Sequence, residues 1–210
     1  IIYSLEFIYE GDIPEEDIPK VEYNYLKILD FDKLTTEKLN TIVTKSTRRP
    51  DLPDATIEIV EDNGQKAFKM SCSPSVWTEY WMDLDVPDSA NCIGIRAHYR
   101  GDNLYDGRFQ LYDDGAWVTP GFFEDRTSDF TLHEETTQEI LFANMNKSVK
   151  GKSVKLAFQL DKDYRDETKD LALIIYSLEF IYEGDIPEED MPEEIPDPDR
   201  EYRHSKIVDF

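Results

Sequence analysis

Trp77, Glu79, Trp81 and Asp83 occupy every second position of the stretch WTEYWMD. On an extended strand, alternate side chains leave the backbone on opposite faces, so these four share one side and Thr78, Tyr80, Met82 and Leu84 share the other. Two chemistries fit the first set. Paired carboxylates flanking a glycosidic bond hydrolyse it when their carboxyl groups stand roughly 5–9.5 Å apart. Glu79 and Asp83 are four strand residues apart, about 13 Å, which is too far. The other chemistry is recognition: indole rings pack on the apolar C–H face of a pyranose while forked or amide side chains bond its hydroxyls.

The same alternation recurs downstream. Arg96, His98 and Arg100 oppose Ile95 and Ala97; Arg108, Gln110 and Tyr112 oppose Phe109 and Leu111; Lys155 and Gln159 oppose Val154, Leu156, Phe158 and Leu160. If these strands neighbour one another in one sheet, its outer face gathers two indoles, a phenol, guanidinium groups, an imidazole and amides. An exposed set of that kind marks an interaction site. The alternative is that a loop or a neighbouring module covers Trp77 and Trp81. No acid–histidine–nucleophile set surrounds His98, and His133 and His204 fall in other segments, so neither a nucleophilic site nor a metal triad is indicated. Arg100-Gly101-Asp102 spells a short cell-adhesion tripeptide, which a match of three letters in a turn does not establish.

The elements that must position these residues are strands. Pro87-Asp88, Gly101-Asp102-Asn103, Asp114-Gly115 and Gly151 punctuate the chain between them, and Asp62-Asn63-Gly64 between Thr56–Val60 and Lys66–Cys72 predicts a tight hairpin. Further strands are expected at 26–31, 77–85, 92–100, 108–112, 137–142, 154–160 and 173–182. One short helix, capped by Thr35 or Thr36, would carry Leu39, Ile42 and Val43 at helical spacing. About nine strands without a βα rhythm predict an all-β antiparallel sandwich.

A duplication sets the boundaries. The seventeen residues Ile1–Asp17 recur unchanged at Ile174–Asp190, and EYNYLKILDF at Glu22–Phe31 returns as EYRHSKIVDF at Glu201–Phe210. The chain reads as a slice of a tandem array. Residues 1–9 close a preceding module, 10–21 are an acidic linker, 22–182 are one whole module, 183–200 are a second linker, and 201–210 open the next. Four prolines among acidic residues should keep the second linker extended and solvated. Ile174–Tyr182 is expected to pair with Leu26–Phe31. Ile1–Tyr9 is then left to pair with Lys206–Phe210, with an adjacent repeat, or with a strand-swapped neighbouring molecule.

With 46 acidic against 23 basic residues and a net charge of −23, the surface repels phosphate backbones and anionic lipid. No run approaches the ~18 apolar residues of a bilayer span. Cys72 and Cys92 allow either one disulfide or two buried thiols.

ILDFD, NGQKAFKM, WTEYWMDLDV, CIGIRAHYRGD, GRFQLYD, VKLAFQLD and IIYSLEFIYEG together resemble the jelly-roll carbohydrate-binding modules with a galactose-binding-domain-like fold, found in multimodular bacterial proteins that degrade or adhere to glycans. The resemblance spans most of 27–184. It implies a jelly roll that binds polysaccharide without catalysis, outside the cell or on its surface. The site would be a groove on the concave sheet, whose strands match those of Trp77, Trp81, Arg96, His98, Arg108, Gln110, Tyr112 and Gln159, or end loops, where Trp117 is the candidate. A structural calcium would draw on Asp30, Asp32 and Asn63, although the closing strand has Tyr176-Ser177 where such modules often place an acidic ligand. The net charge favours a neutral glucan, starch or plant cell-wall β-glucan, over an acidic glycan. The rival is a structural spacer or adhesin repeat whose aromatic face packs on protein.

Overall fold

The computed structural model describes residues 21–73, 77–104, 107–118, 135–160 and 168–192, with the side chains of 107 and 108 excepted. Among them are eleven strands: β1 (Tyr23–Lys27), β2 (Thr44–Lys45), β3 (Thr56–Asp62), β4 (Gln65–Cys72), β5 (Thr78–Asp85), β6 (Cys92–Asp102), β7 (Gly107–Asp113), β8 (Ala116–Trp117), β9 (Thr136–Leu141), β10 (Ser153–Leu160) and β11 (Leu171–Glu183). One helix, α1 (Thr36–Ile42), stands between β1 and β2. Every strand pairing is antiparallel.

The strands form two sheets. The larger runs β3-β4-β11-β6-β9, with β1 also on β11; the smaller runs β2-β5-β10-β7-β8. The pairs β7·β8, β6·β9, β5·β10 and β4·β11 are nested around one hairpin, so a long double ribbon has been wound into a sandwich. That is a jelly roll, as expected. The hairpin turns are chemically specified. Asn63 and Gly64 adopt φ of 50° and 78°, and Asp114 and Gly115 adopt 48° and 79°, the positive values a two-residue turn requires.

The inward parity of each strand builds the core. Phe68 of the larger sheet meets Phe158 of the smaller at 5.3 Å between centroids, Phe158 meets Phe109 at 5.9 Å, and Phe109 meets Tyr99 at 4.9 Å, each edge to face. Thr35 caps α1 by accepting from the Lys38 N–H at 3.3 Å, and Leu39 is fully buried beneath it.

β11, carrying the duplicated sequence, is the hub of the larger sheet. One side pairs with β6 along most of its length; the other takes β4 over Leu171–Ile175 and β1 over Glu179–Glu183. The expected opening strand is therefore displaced: it spans Tyr23–Lys27, Ile28 adds one more bond to the Leu178 carbonyl at 2.8 Å, and the chain then turns so that Phe31 plugs the core. The expected pairings of Ile1–Tyr9 and Lys206–Phe210 lie outside the described residues. The start of the second linker lies against the sandwich rather than free of it. Asn91 Nδ2 donates to the Glu183 and Asp185 carbonyls at 3.2 and 2.7 Å, and the Tyr182 hydroxyl donates to Asp190 at 3.1 Å.

Cys72 and Cys92 are buried thiols, not a disulfide. They sit opposite Leu171 and Tyr182, at the two ends of β11, so roughly 36 Å of strand separates them.

Candidate functional site

The smaller sheet turns its polar parity outward in three rows that register defines. Glu79, Gln159 and Arg108 form the first; Thr44, Trp81, Ala157 and Gln110 the second; Asp83, Lys155, Tyr112 and Trp117 the third. Five of the nine expected binding residues thus share one sheet face, and Arg108 holds a register position in the same rows. Ala157 is the small residue of the middle row. Trp81 and Tyr112, on strands flanking β10, approach across it to 5.7 Å with ring planes 34° apart. Tyr112 meets Trp117 edge to face at 5.1 Å, which completes an aromatic line across the sheet. Trp117 does not stand in a loop as expected; the two-residue strand β8 places it beside Tyr112.

The depth of these residues differs. Tyr112, Trp117 and Gln110 are half-buried and reach the surface, whereas Trp81 is only 6% exposed and Gln159 only 3%. Trp81 therefore backs Tyr112 instead of offering its own ring. Gln159 is committed elsewhere: its amide donates to Glu79, which is fully buried. Trp77, just before β5, is half-buried, with the Arg49 guanidinium 4.6 Å over its ring. Arg108 lies opposite Gln159 in β7.

Glu79 organises the floor of this face. Its Oε1 accepts from the Ser46 hydroxyl at 2.5 Å and from Arg48 Nε at 3.3 Å, and its Oε2 accepts from Arg48 Nη2 at 2.6 Å as well as from Gln159. Burial pushes its pKa up, but the bonds from Arg48, Ser46 and Gln159 outweigh that and hold the carboxyl below its ordinary value. Arg48 also lies 4.9 Å over the Trp117 ring. So the 46–49 segment ties both sides of the face together. Sequence parity missed it because the segment is irregular and carries no alternation. Asp83 pairs with Lys155, and Glu79 has each carboxylate oxygen doubly bonded, so the two do not form a hydrolytic couple.

Arg96 and His98 do not join this face. β5 and β6 are consecutive in sequence, but the winding sends them to different sheets, so equal parity puts them on opposite sides of the molecule. Arg96 lies 3.3 Å over Tyr25 and pairs with Glu179 at 2.7 Å; His98 stacks 5.1 Å from Tyr176 and approaches Glu135 at 3.3 Å. Arg100 is held by Asp62 and the Tyr176 hydroxyl, while Gly101 is buried inside β6, so the adhesion-like tripeptide is a strand and not a displayed turn.

The three expected calcium ligands each have another side-chain partner. Asp30 is paired with Lys27 at 3.2 Å and Lys33 at 3.3 Å. Asp32 is exposed and 3.9 Å from Lys27, and Asn63 donates its amide to Glu135 at 2.8 Å. Among the described residues, no group of three or more His, Cys, Asp or Glu side chains is gathered as a metal site would need.

No protein-family model matches the chain, and no curated protein sequence does. Among solved structures it is similar to a family 11 carbohydrate-binding module from Clostridium thermocellum in complex with a β-1,3-1,4-mixed-linked tetrasaccharide. That similarity has a TM-score of 0.44 at 11% identity and covers 74% of this chain and 94% of that one. It is also similar to the family 11 carbohydrate-binding module of the cellulosomal cellulase Lic26A-Cel5E of the same organism, with a TM-score of 0.42 at 11% identity, covering 78% and 96%.

Proposed function

We propose that this chain is a non-catalytic module that binds a neutral polysaccharide, starch or a plant cell-wall β-glucan, on the outer face of its smaller sheet. The observation that carries the reading is the aromatic line Trp81–Tyr112–Trp117. Trp81 is buried behind Tyr112, but Tyr112 and Trp117 are half-buried and reach the surface near Arg48, Gln110 and Lys155, in a protein whose core is already complete on the other side of the sheet. Such rings gain nothing for the fold by standing outside; beside forked and amide donors they suit a flat, hydroxyl-bearing ring. The net charge of −23 favours an uncharged chain over an acidic one. The duplicated segments support an array of such modules in an extracellular or surface protein, where weak sites in series gain avidity.

Affinity electrophoresis of the 210-residue chain in gels of soluble starch and of cereal β-glucan tests this. Retardation by one of them, lost in Trp117→Ala and in Tyr112→Ala, is the expected result. Retardation by neither favours the rival class, a spacer or adhesin repeat, and release of reducing sugar would mark an enzyme.

A further inference from the structure

Arg48 carries five N–H groups on a rigid planar fork. Nε and one Nη2 proton, on the same edge of that fork, go to Glu79. The two Nη1 protons and the second Nη2 proton therefore point away from it, and among the described residues nothing accepts from them. The pair is lopsided: the Glu79 side chain is 0% exposed, while that of Arg48 is 32% exposed. Ser46 and Gln159 fill the remaining lone pairs of Glu79, so the carboxylate has no vacancy for a ligand and one evident task, fixing the guanidinium. The plane so fixed stands against the Trp117 indole.

Resting on the reading of this face as a glycan site, the geometry points to Arg48 as the group that fixes the orientation of a bound sugar, with Glu79 as the positioning residue beneath it. Two parallel N–H donors held rigidly at the edge of an aromatic surface match the oxygens of two adjacent free hydroxyls on a pyranose. Pre-organisation by a buried counter-ion removes the entropy that a loose arginine would lose on binding. The ligand class is thus a sugar presenting a vicinal, unsubstituted hydroxyl pair to Arg48 while its ring lies by Trp117 and Tyr112.

The test uses the whole chain and the glucan that retards it. Calorimetric titration compares the wild type with Arg48→Lys, which keeps charge and stem but loses the fork, and with Glu79→Gln. Each is expected to bind about tenfold or more weakly, the scale of losing charge-assisted hydrogen bonds. The Arg48 Nε–H resonance, assigned through its couplings along the arginine side chain, should move on adding glucan to the wild type and move less at the same glucan concentration in Glu79→Gln, a response that a purely structural arginine would not give. A retarded wild type whose affinity Arg48→Lys leaves unchanged overturns the assignment but keeps the face. Tighter binding by Arg48→Lys makes the arginine a cover and overturns it as well. If Arg48→Lys does not fold, an Nε–H resonance that stays still in glucan-saturated wild type overturns it. Retardation by neither glucan overturns the assignment together with the reading it rests on.

Discussion

Replacing Glu79 by glutamine asks how much the fold depends on its buried carboxylate. The wild-type group accepts four hydrogen bonds, two on each oxygen, from Ser46, Gln159 and Arg48. A glutamine amide presents an NH2 group in place of one oxygen. In one orientation it faces Arg48 Nε and the Ser46 hydroxyl, in the other Arg48 Nη2 and the Gln159 amide. Ser46 and Gln159 can each turn an oxygen towards it; the guanidinium cannot, so at least one charge-assisted bond is lost in either case. The half-exposed Arg48 recovers part of its solvation from water, which keeps the cost below that of a sealed ion pair. About 3 kcal/mol is expected, a fall in Tm of roughly 6–12 °C for a domain of this size. The pH dependence carries the sharper signature. Glu79 has a folded pKa below its unfolded value, so its contribution is present above the unfolded pKa and disappears as pH falls through the folded one. The difference in unfolding free energy between wild type and Glu79→Gln, from urea titrations, should therefore be full near neutrality and shrink in acid below the ordinary carboxylate range. Equal stability at pH 7, or a difference that does not change in acid, would refute the ionised, four-bonded carboxylate.

Three further outcomes follow from the packing. Phe158→Ala, which removes the ring between Phe68 and Phe109, should cost about 3–5 kcal/mol in chemical denaturation. At Gly94 an added Cβ would come within 2.5 Å of the Ile140 carbonyl oxygen, so Gly94→Ala should push β9 from β6 and speed amide exchange in β9. Burial pushes the Cys72 and Cys92 thiols up to about 11, so a thiol reagent at pH 8 should label neither in the native protein and both in denaturant.

Local chemistry was readable wherever a residue's own needs decide its structure. Asn63-Gly64 made a turn because positive φ suits few other pairs, and Leu39, Ile42 and Val43 marked one helical stripe behind a threonine cap. Alternation sorted inner from outer residues on β5, β7 and β10, which meet the condition of neighbouring one another in one sheet. It failed for β6, since parity records which side of its own sheet a residue occupies and nothing about which sheet that is. The jelly-roll winding decides that through long-range pairing, and Arg96 and His98 went to the far side as a result. Parity was equally silent on depth. Trp81 packs against Tyr112 and is covered, and Gln159 answers to a buried acid, neither of which a strand pattern can express. Arg48 was missed for the opposite reason: its position depends on an irregular segment with no period to read.

β1 begins and β11 ends at the same corner of the sandwich, where the Gly184 N–H donates to the Glu22 carbonyl at 2.8 Å and Tyr23 lies opposite Glu183. If such modules are strung in the proposed array and it is stretched between its ends, tension would reach each module through those two neighbouring points. The load would then fall on one ladder bond at a time, peeling β1 away as a zipper opens, instead of shearing all five residues together. Such modules would hang from the linker like pendants from a cord, and each would yield at β1 long before its core felt the pull.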